Sequence, residues 1–434
     1  MNSASSSRPI TPGETLAKVK AGLPRRRAAE RRFRAYGLAA IVGGLVVLAI
    51  LLLDILFKGH SAFWQTRIEL DVFVDPAMVA ASSDERTRLM EADYSGMIRQ
   101  GLGKLFPEVT ERGRKRSLGA LLSGGAPYEL RDRVVADPAL IGQTIPIWVT
   151  ASPDVDMFEK GQLGAPDTDS FRLKSDQIEW LARLKQEHRL EKRFNTQFFS
   201  AGDSREPEQS GIWGAAVGSF FTLLVTLSLS LPMGIAAAIY LEEFAPRNRW
   251  TDVIEVNINN LAAVPSIVFG LLGLAVFINF FQLPRSSPLV GGLVLTLMTL
   301  PVIIIAGRSA LKAVPPSIRE AALGVGASSM QTVLHHVLPL ALPGMLTGGI
   351  IGMARALGES APLLMIGMVA FIVDVPGSVM DPATVLPVQI YLWADSPERA
   401  FVERTSAAIL VLLAFLILMN GLAVYLRRRF ERRW

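Results

Sequence analysis

The chain has 434 residues, half of them hydrophobic and only 19% charged, with a formal net charge of +5. The absence of cysteine excludes disulfides and thiolate chemistry. The modest positive charge gathers near the two ends, which is a topology signal rather than a nucleic-acid footprint. Several apolar runs reach the ~20 residues needed to cross a hydrocarbon core, so the chain reads as a polytopic helical membrane protein with a soluble insertion.

Residues 1–36 are rich in Ser, Thr, Pro and Gly and then in Arg25–Arg27, Arg31, Arg32 and Arg34; they are expected to form a disordered, basic cytoplasmic N-terminus. Residues 37–57 are almost wholly apolar and predict a first transmembrane helix, held with its basic flank inside. A cleaved signal peptide is the competing reading, but the span is long for one and no small-residue cleavage site follows. Residues 58–210 change character, with dense charges of both signs and no window apolar enough to span. Alternation predicts strands at Ile68–Val74 and Ile145–Thr150, and amphipathic periodicity predicts helices at Asp84–Leu105 and Asp176–Arg193. The expectation is an inserted extracytoplasmic α+β domain with its own core. It holds no catalytic motif, and its His188 has no second His nearby for a metal pair.

Residues 211–434 predict five further transmembrane helices. These lie at Ile212–Tyr240, Asn257–Phe281, Leu289–Ala306, Leu342–Ile372 and Thr405–Leu426. A short polar loop, 241–256, separates the first two, and a tight turn over Leu283–Pro288 the next. Residues 374–400 form an outside loop with room for a short interfacial helix. Arg308 and Lys312 open a cytoplasmic loop, 307–341, and Arg427–Arg429, Arg432 and Arg433 close the chain. Both basic ends inside require an even number of spans, and six fits.

Two stretches carry the chemistry. In the 307–341 loop, Pro315 and Pro316 end the preceding helix. Ser317 is placed to cap a new helix with Glu320 at the capping-box spacing. Gly324 and Gly326 thin that helix, and Leu338-Pro339 and Leu342-Pro343 redirect the chain. His335 and His336 read as solvated residues at a helix end. In the next span, Arg355 and Glu359 are four residues apart and share one helix face. Ionisable groups in a span usually face a bundle interior or an aqueous path; the alternative is a self-neutralising pair that locks packing. A guanidinium suits a tetrahedral oxyanion. Asn257, Asn259, Asn260 and Val264-Pro265-Ser266 put polar and proline-opened backbone inside the third span, which reads equally as a polar cavity wall or as helix glue. Gly348, Gly349 and Gly352 are explained by close helix packing.

Glu320-Ala321-Ala322, Gly326 and Leu338-Pro339 resemble the EAA loop of ABC-importer permeases; His336 stands where that pattern has an apolar residue. ARALGESAPLL from Ala354, ALPG from Ala341 and NNLAAVPSIVFGLLGL resemble phosphate-uptake permeases of the PstA type. The resemblance implies a type I ABC-importer permease fold and the import of inorganic phosphate. It implies a coupling helix at 317–331 that docks into an ATPase through Glu320, Ala321, Ala322, Gly326, Leu338 and Pro339. It also implies a substrate path along Arg355, Glu359, Ser360, Asn260, Pro265 and Ser266. The implied partners are a companion PstC-type permease as heterodimer, two ATPase subunits carrying ATP and Mg, and an extracytoplasmic phosphate-binding protein, in a bacterial inner membrane with both termini cytoplasmic. No GxxxxGK[ST] loop and no Ser–His–Asp arrangement is present, so no cofactor is expected on this chain and no enzymatic activity of its own. Import of another oxyanion (phosphonate, sulfate or molybdate), a membrane sensor or scaffold, and an ion-driven transporter are the rival readings. The coupling loop and the lack of an evident internal repeat weigh against the last two.

Overall fold

The computed structural model describes residues 12–79, 89–162 and 173–430. It divides into two compact units, Met1–Phe57 and Lys58–Trp434. The first unit is dominated by one helix, α1, spanning Pro12–Gly59. At 48 residues it is roughly 70 Å long, well beyond a bilayer core, so its basic half lies outside the hydrocarbon. Residues 12–36, expected to be disordered, are therefore helical; residues 1–11 lie outside the described residues. The Glu30–Arg34 ion pair, one turn apart at 2.6 Å, supports this extension.

In the second unit, β1 (Trp64–Phe73) is the centre of an antiparallel sheet in the order β2-β1-β3, flanked by β2 (Thr144–Thr150) and β3 (Leu190–Phe194). The register sets Ile68, Leu70 and Val72 opposite Val149, Ile147 and Ile145. All three β1 residues are fully buried, each contributing about 1.5–3 kcal/mol by leaving water. Helices α2 (Tyr94–Leu105), α3 (Arg112–Gly119), α4 (Ala126–Ala136), α5 (Pro153–Glu159) and α6 (Ser175–Gln186) complete this α+β part. Met97, Ile98, Leu102, Leu130, Val134, Trp180, Leu181 and Leu184 fill its core. Both expected strands are present. Within the helix expected at Asp84–Leu105, Leu89 and Met90 are helical, a break follows at 91–93, and α2 begins at Tyr94 with Asp93 capping the Gly96 amide; residues 80–88 lie outside the described residues. The helix expected to reach Arg193 stops at Gln186. His188 turns the chain with φ of 56°, and Leu190–Phe194 pairs with β1 instead. Backbone pairing overrides the helix-like charge pattern there.

A short helix, α7 (Thr196–Ser200), leads into the apolar helices. These are α8 (Trp213–Phe244), α9 (Arg249–Ala262), α10 (Ser266–Phe280), α11 (Pro288–Lys312), α12 (Pro316–Gly324), α13 (Ser329–Gly358), α14 (Ala361–Met365), α15 (Leu386–Ala394) and α16 (Ala400–Phe430). Among the described residues five helices are long and apolar enough to cross a membrane, or six if the bent pair α9–α10 counts as one span. That pair corrects the expected third span: the axis turns by 101° at Val264-Pro265. Residues 249–256, expected in a polar loop, and the asparagine run that follows them form a separate amphipathic helix with no buried residue. The short helix expected in the 374–400 loop is α15.

The α+β part is joined to α16 by a buried ionic contact. Lys160 Nζ lies 2.6 Å from Asp156 Oδ2 and 2.7 Å from Glu403 Oε1, with 4% of its side chain exposed. Phe198, Trp393 and Phe401 pack beside it in a small aromatic core. The Trp393 indole donates to Asp203, whose carboxyl burial pushes above its usual range.

Candidate functional site

The 307–341 segment is built differently from its motif. Helix α12 begins at Pro316 after Pro315, and no side chain caps it; the expected Ser317–Glu320 capping box is absent. The capping box is at Ser328–Gln331, where the Ser328 hydroxyl accepts the Gln331 amide and the Gln331 side chain accepts the Ser328 amide. The expected coupling helix of 317–331 thus ends at Gly324. Gly326, at φ of +89°, makes the left-handed turn that reverses the chain, which any side chain would strain. Leu338-Pro339 and Leu342-Pro343 do not redirect it: α13 runs unbroken through both from Ser329 to Gly358. A wider helical turn over Val333–Val337 precedes Pro339, which falls in the first turn of the segment that follows.

What holds α12 is Arg319, one residue before the motif. Its guanidinium donates to Glu243 Oε1 at 2.6 Å and Oε2 at 3.2 Å, and to the carbonyls of Val314 and Leu311 at 2.8 and 3.0 Å. Hydrogen bonding to Glu243 holds that guanidinium above its ordinary range. Beside it Arg308 reaches Glu242 and Glu255, tying together α8, α9 and α11. Sequence reasoning missed these pairs; its one signal is the Glu242-Glu243 doublet at one span end, matched by Arg308 and Lys312 at another. With Ala322 buried, α12 presents Glu320, Ala321, Leu323 and Val325 outward, Val325 at 86% exposure. A recess of about 790 Å³ lies between α12 and α13, lined by Val314, Pro315, Ile318, the exposed His335 and His336, and Pro339.

Arg355 and Glu359 lie at the other feature, the end of α13. Glu359 has left the helix, with ψ of 121°, and residues 359–360 separate α13 from α14. The pair persists, Arg355 Nε to Glu359 Oε1 at 3.6 Å, with the Arg side chain 44% exposed. Among the described residues the terminal nitrogens of Arg355 make no hydrogen bond, leaving donors for an oxyanion. Gly270 allows α10 to lie against this break: a Cβ there would stand 2.7 Å from the Cα and O of Pro362. Gly273 faces Val294 of α11 and Ile366, so the middle of α10 packs against α11 and the Pro362–Ile366 stretch. Asn260 is set apart from them on the exposed face of α9. Gly348 packs against Ala306 and Gly352 against Thr299 of α11, the packing role read from sequence.

Residues 230–432 match the family described as binding-protein-dependent transport system inner membrane component. Residues 20–166 match a domain of unknown function, DUF3333. The probable ABC transporter permease protein YqgI of Bacillus subtilis is 35% identical over 169 residues, 39% of this chain and 57% of that protein. Phosphate transport system permease protein PstA 1 of Mycobacterium tuberculosis is 32% identical over 223 residues, 51% of this chain and 72% of that protein. A crystal form of the inward-facing MetNI methionine ABC transporter aligns over 51% of this chain and 95% of its own, at 19% identity and a TM-score of 0.40. The alignment to PstA 1 settles the family: this chain belongs to the ABC-importer permeases of the PstA type.

Proposed function

We propose that the chain is the permease subunit through which an ATP-driven importer moves inorganic phosphate across the bacterial inner membrane. The observation that carries the reading is the charged pair at the break between α13 and α14. A cation with free donors at the end of an apolar helix is costly unless it serves a path or a partner. The packing of α10 on Pro362, three residues past Glu359, supports our reading of a passage lined by Arg355, Glu359, Ser360, Pro265 and Ser266. Asn260 joins that passage only if α9 swings toward it. Both phosphate and its competitor oxyanions suit a guanidinium; the PstA relatives favour phosphate.

Counting α9–α10 as one bent span gives six, with both basic ends cytoplasmic and residues 58–210 extracytoplasmic. α12 and the α13 start then lie on the ATPase side. Its exposed Glu320, Ala321, Leu323 and Val325 form the surface that two ATPase subunits would grip, with Gly326 turning the chain and Leu338-Pro339 behind. ATP and Mg act on those subunits, and a companion permease of PstC type completes the membrane pair. A phosphate-binding protein delivers substrate outside, and rocking of the spans exposes the path to each side in turn.

The test is uptake of labelled phosphate into proteoliposomes holding the full complex. Arg355→Ala should cut uptake at least tenfold while assembly and basal ATP hydrolysis persist, and Arg355→Lys should recover part. Unimpaired uptake by Arg355→Ala in an assembled complex would remove Arg355 from the path.

A further inference from the structure

Helices α2 and α3 enclose an open groove of about 670 Å³ on the α+β part. Its floor is apolar, made by Leu102, Phe106, Val109 and Leu118, all at least 96% buried. Among the described residues its rim carries Arg99, Lys104 and Lys115 and no carboxylate. Arg112 and Arg116 stand exposed on the same helix as Lys115. Among the described residues none of these five cations has a recorded carboxylate partner; Arg99 donates only to the Ser95 carbonyl, at 3.1 Å. Elsewhere in this part many cations are paired. Arg67, Lys160, Arg183, Lys185, Arg189 and Arg193 each have a carboxylate within 4.0 Å. Among the described residues Arg133, Lys174 and Lys192 also lack a carboxylate partner, so what sets the groove apart is that its cations cluster on two adjacent helices.

Like charges held together without counter-charges repel one another and raise the local potential, which favours an anionic partner and speeds its arrival. With the apolar residues beneath it buried in the core, the groove offers a partner its basic rim, which suits the polar edge of a protein docking surface. It is a poor seat for a small hydrated anion, which needs polar donors to replace its water. We propose that this groove docks an acidic face of the extracytoplasmic substrate-binding protein. The proposal rests on the importer reading and on residues 58–210 lying outside; the matched family is itself described as binding-protein-dependent. The buried Lys160–Glu403 contact would pass the docked load to α16, with 4% and 7% of those side chains exposed.

The test uses the full complex in nanodiscs and purified phosphate-binding protein, with affinity measured at low and high salt. Wild type should bind, less tightly as salt rises. The double variant Lys104→Glu/Lys115→Glu should bind at least tenfold more weakly with unchanged basal ATP hydrolysis. Lys104→Gln/Lys115→Gln should fall between, since these exposed side chains carry no fold contacts. Equal binding by wild type and the double reversal, or no salt dependence, would overturn the proposal. So would a wild-type complex that does not bind the protein at all, and so would inorganic phosphate alone occupying the groove. Labelled-phosphate uptake by the wild type is scored separately, so failure of the importer reading is distinguishable from failure of the groove.

Discussion

Replacing Arg319 with Ala removes the anchor of α12. The side chain makes two hydrogen bonds to Glu243 and two to backbone carbonyls, and it is 24% exposed against 10% for Glu243. A charge-assisted hydrogen bond contributes roughly 1.5–3 kcal/mol. Partial exposure lets water replace the carbonyl bonds, so the bidentate pair dominates, and about 2–3 kcal/mol of α12 anchoring is lost. At about 1.4 kcal/mol per factor of ten, the undocked population of α12 rises roughly 30- to 100-fold. Hydrogen exchange at the amides of Ser317–Gly324 should accelerate by that factor. The ratio of binding-protein-stimulated to basal ATP hydrolysis should collapse, because the exposed face of α12 no longer moves with α8. Arg319→Lys keeps the charge without the fork and should lie between. An unchanged stimulation ratio and unchanged exchange in an assembled Arg319→Ala complex would refute the anchoring role.

Gly270→Ala should destabilise the complex by about 1–3 kcal/mol, since its Cβ would sit 2.7 Å from backbone atoms of Pro362 that cannot yield. Gly291→Ala meets only the Sδ of Met368, the Cδ2 of Leu363 and the Cγ2 of Thr222, at 3.2–3.3 Å, and should be tolerated. Equal melting temperatures for the two variants would contradict the close approach of α10 and α14. Glu208 is buried, accepts the Ser123 hydroxyl at 2.5 Å, and burial raises its carboxyl above the usual range. A raised folded value means the native state holds the proton more tightly. Stability is therefore greatest with Glu208 protonated and falls as pH rises from the ordinary carboxylate range through the raised value. Glu208→Gln should flatten the pH dependence of melting over that window, and identical slopes in both proteins would sink the idea. Glu129 and Asp203, raised for the same reason, keep some slope in either case.

Local pattern was enough for much of the architecture. Alternation located β1 and β2, and apolar runs located α8, α11 and α16, because both signals arise within a few residues; the span expected at Leu342–Ile372 instead starts at Ser329 and stops at Gly358. The break at Val264-Pro265 was harder to read. Asn257, Asn259 and Asn260 are compatible with a polar span wall, and only the 101° bend makes them a separate helix. A short helix does form at the Glu320 motif, but Pro315 and Pro316 start it without a side-chain cap, so the Ser317 spacing misled. Arg319–Glu243 and Lys160–Glu403 join residues 76 and 243 apart, and no local pattern encodes such pairings. The charged pair at Arg355 and Glu359 was legible because charge is rare in an apolar run. That Glu359 has left the helix was not, since Gly358 signals a weakened turn without fixing where it opens.

The account stands or falls on ATP hydrolysis by the complex in liposomes with binding protein outside. Phosphate should stimulate hydrolysis while sulfate and phosphonate do not, and Glu320→Lys should abolish the stimulation without preventing assembly. Stimulation by a different oxyanion, or none by phosphate in an assembled complex, would contradict the claim that this permease carries phosphate.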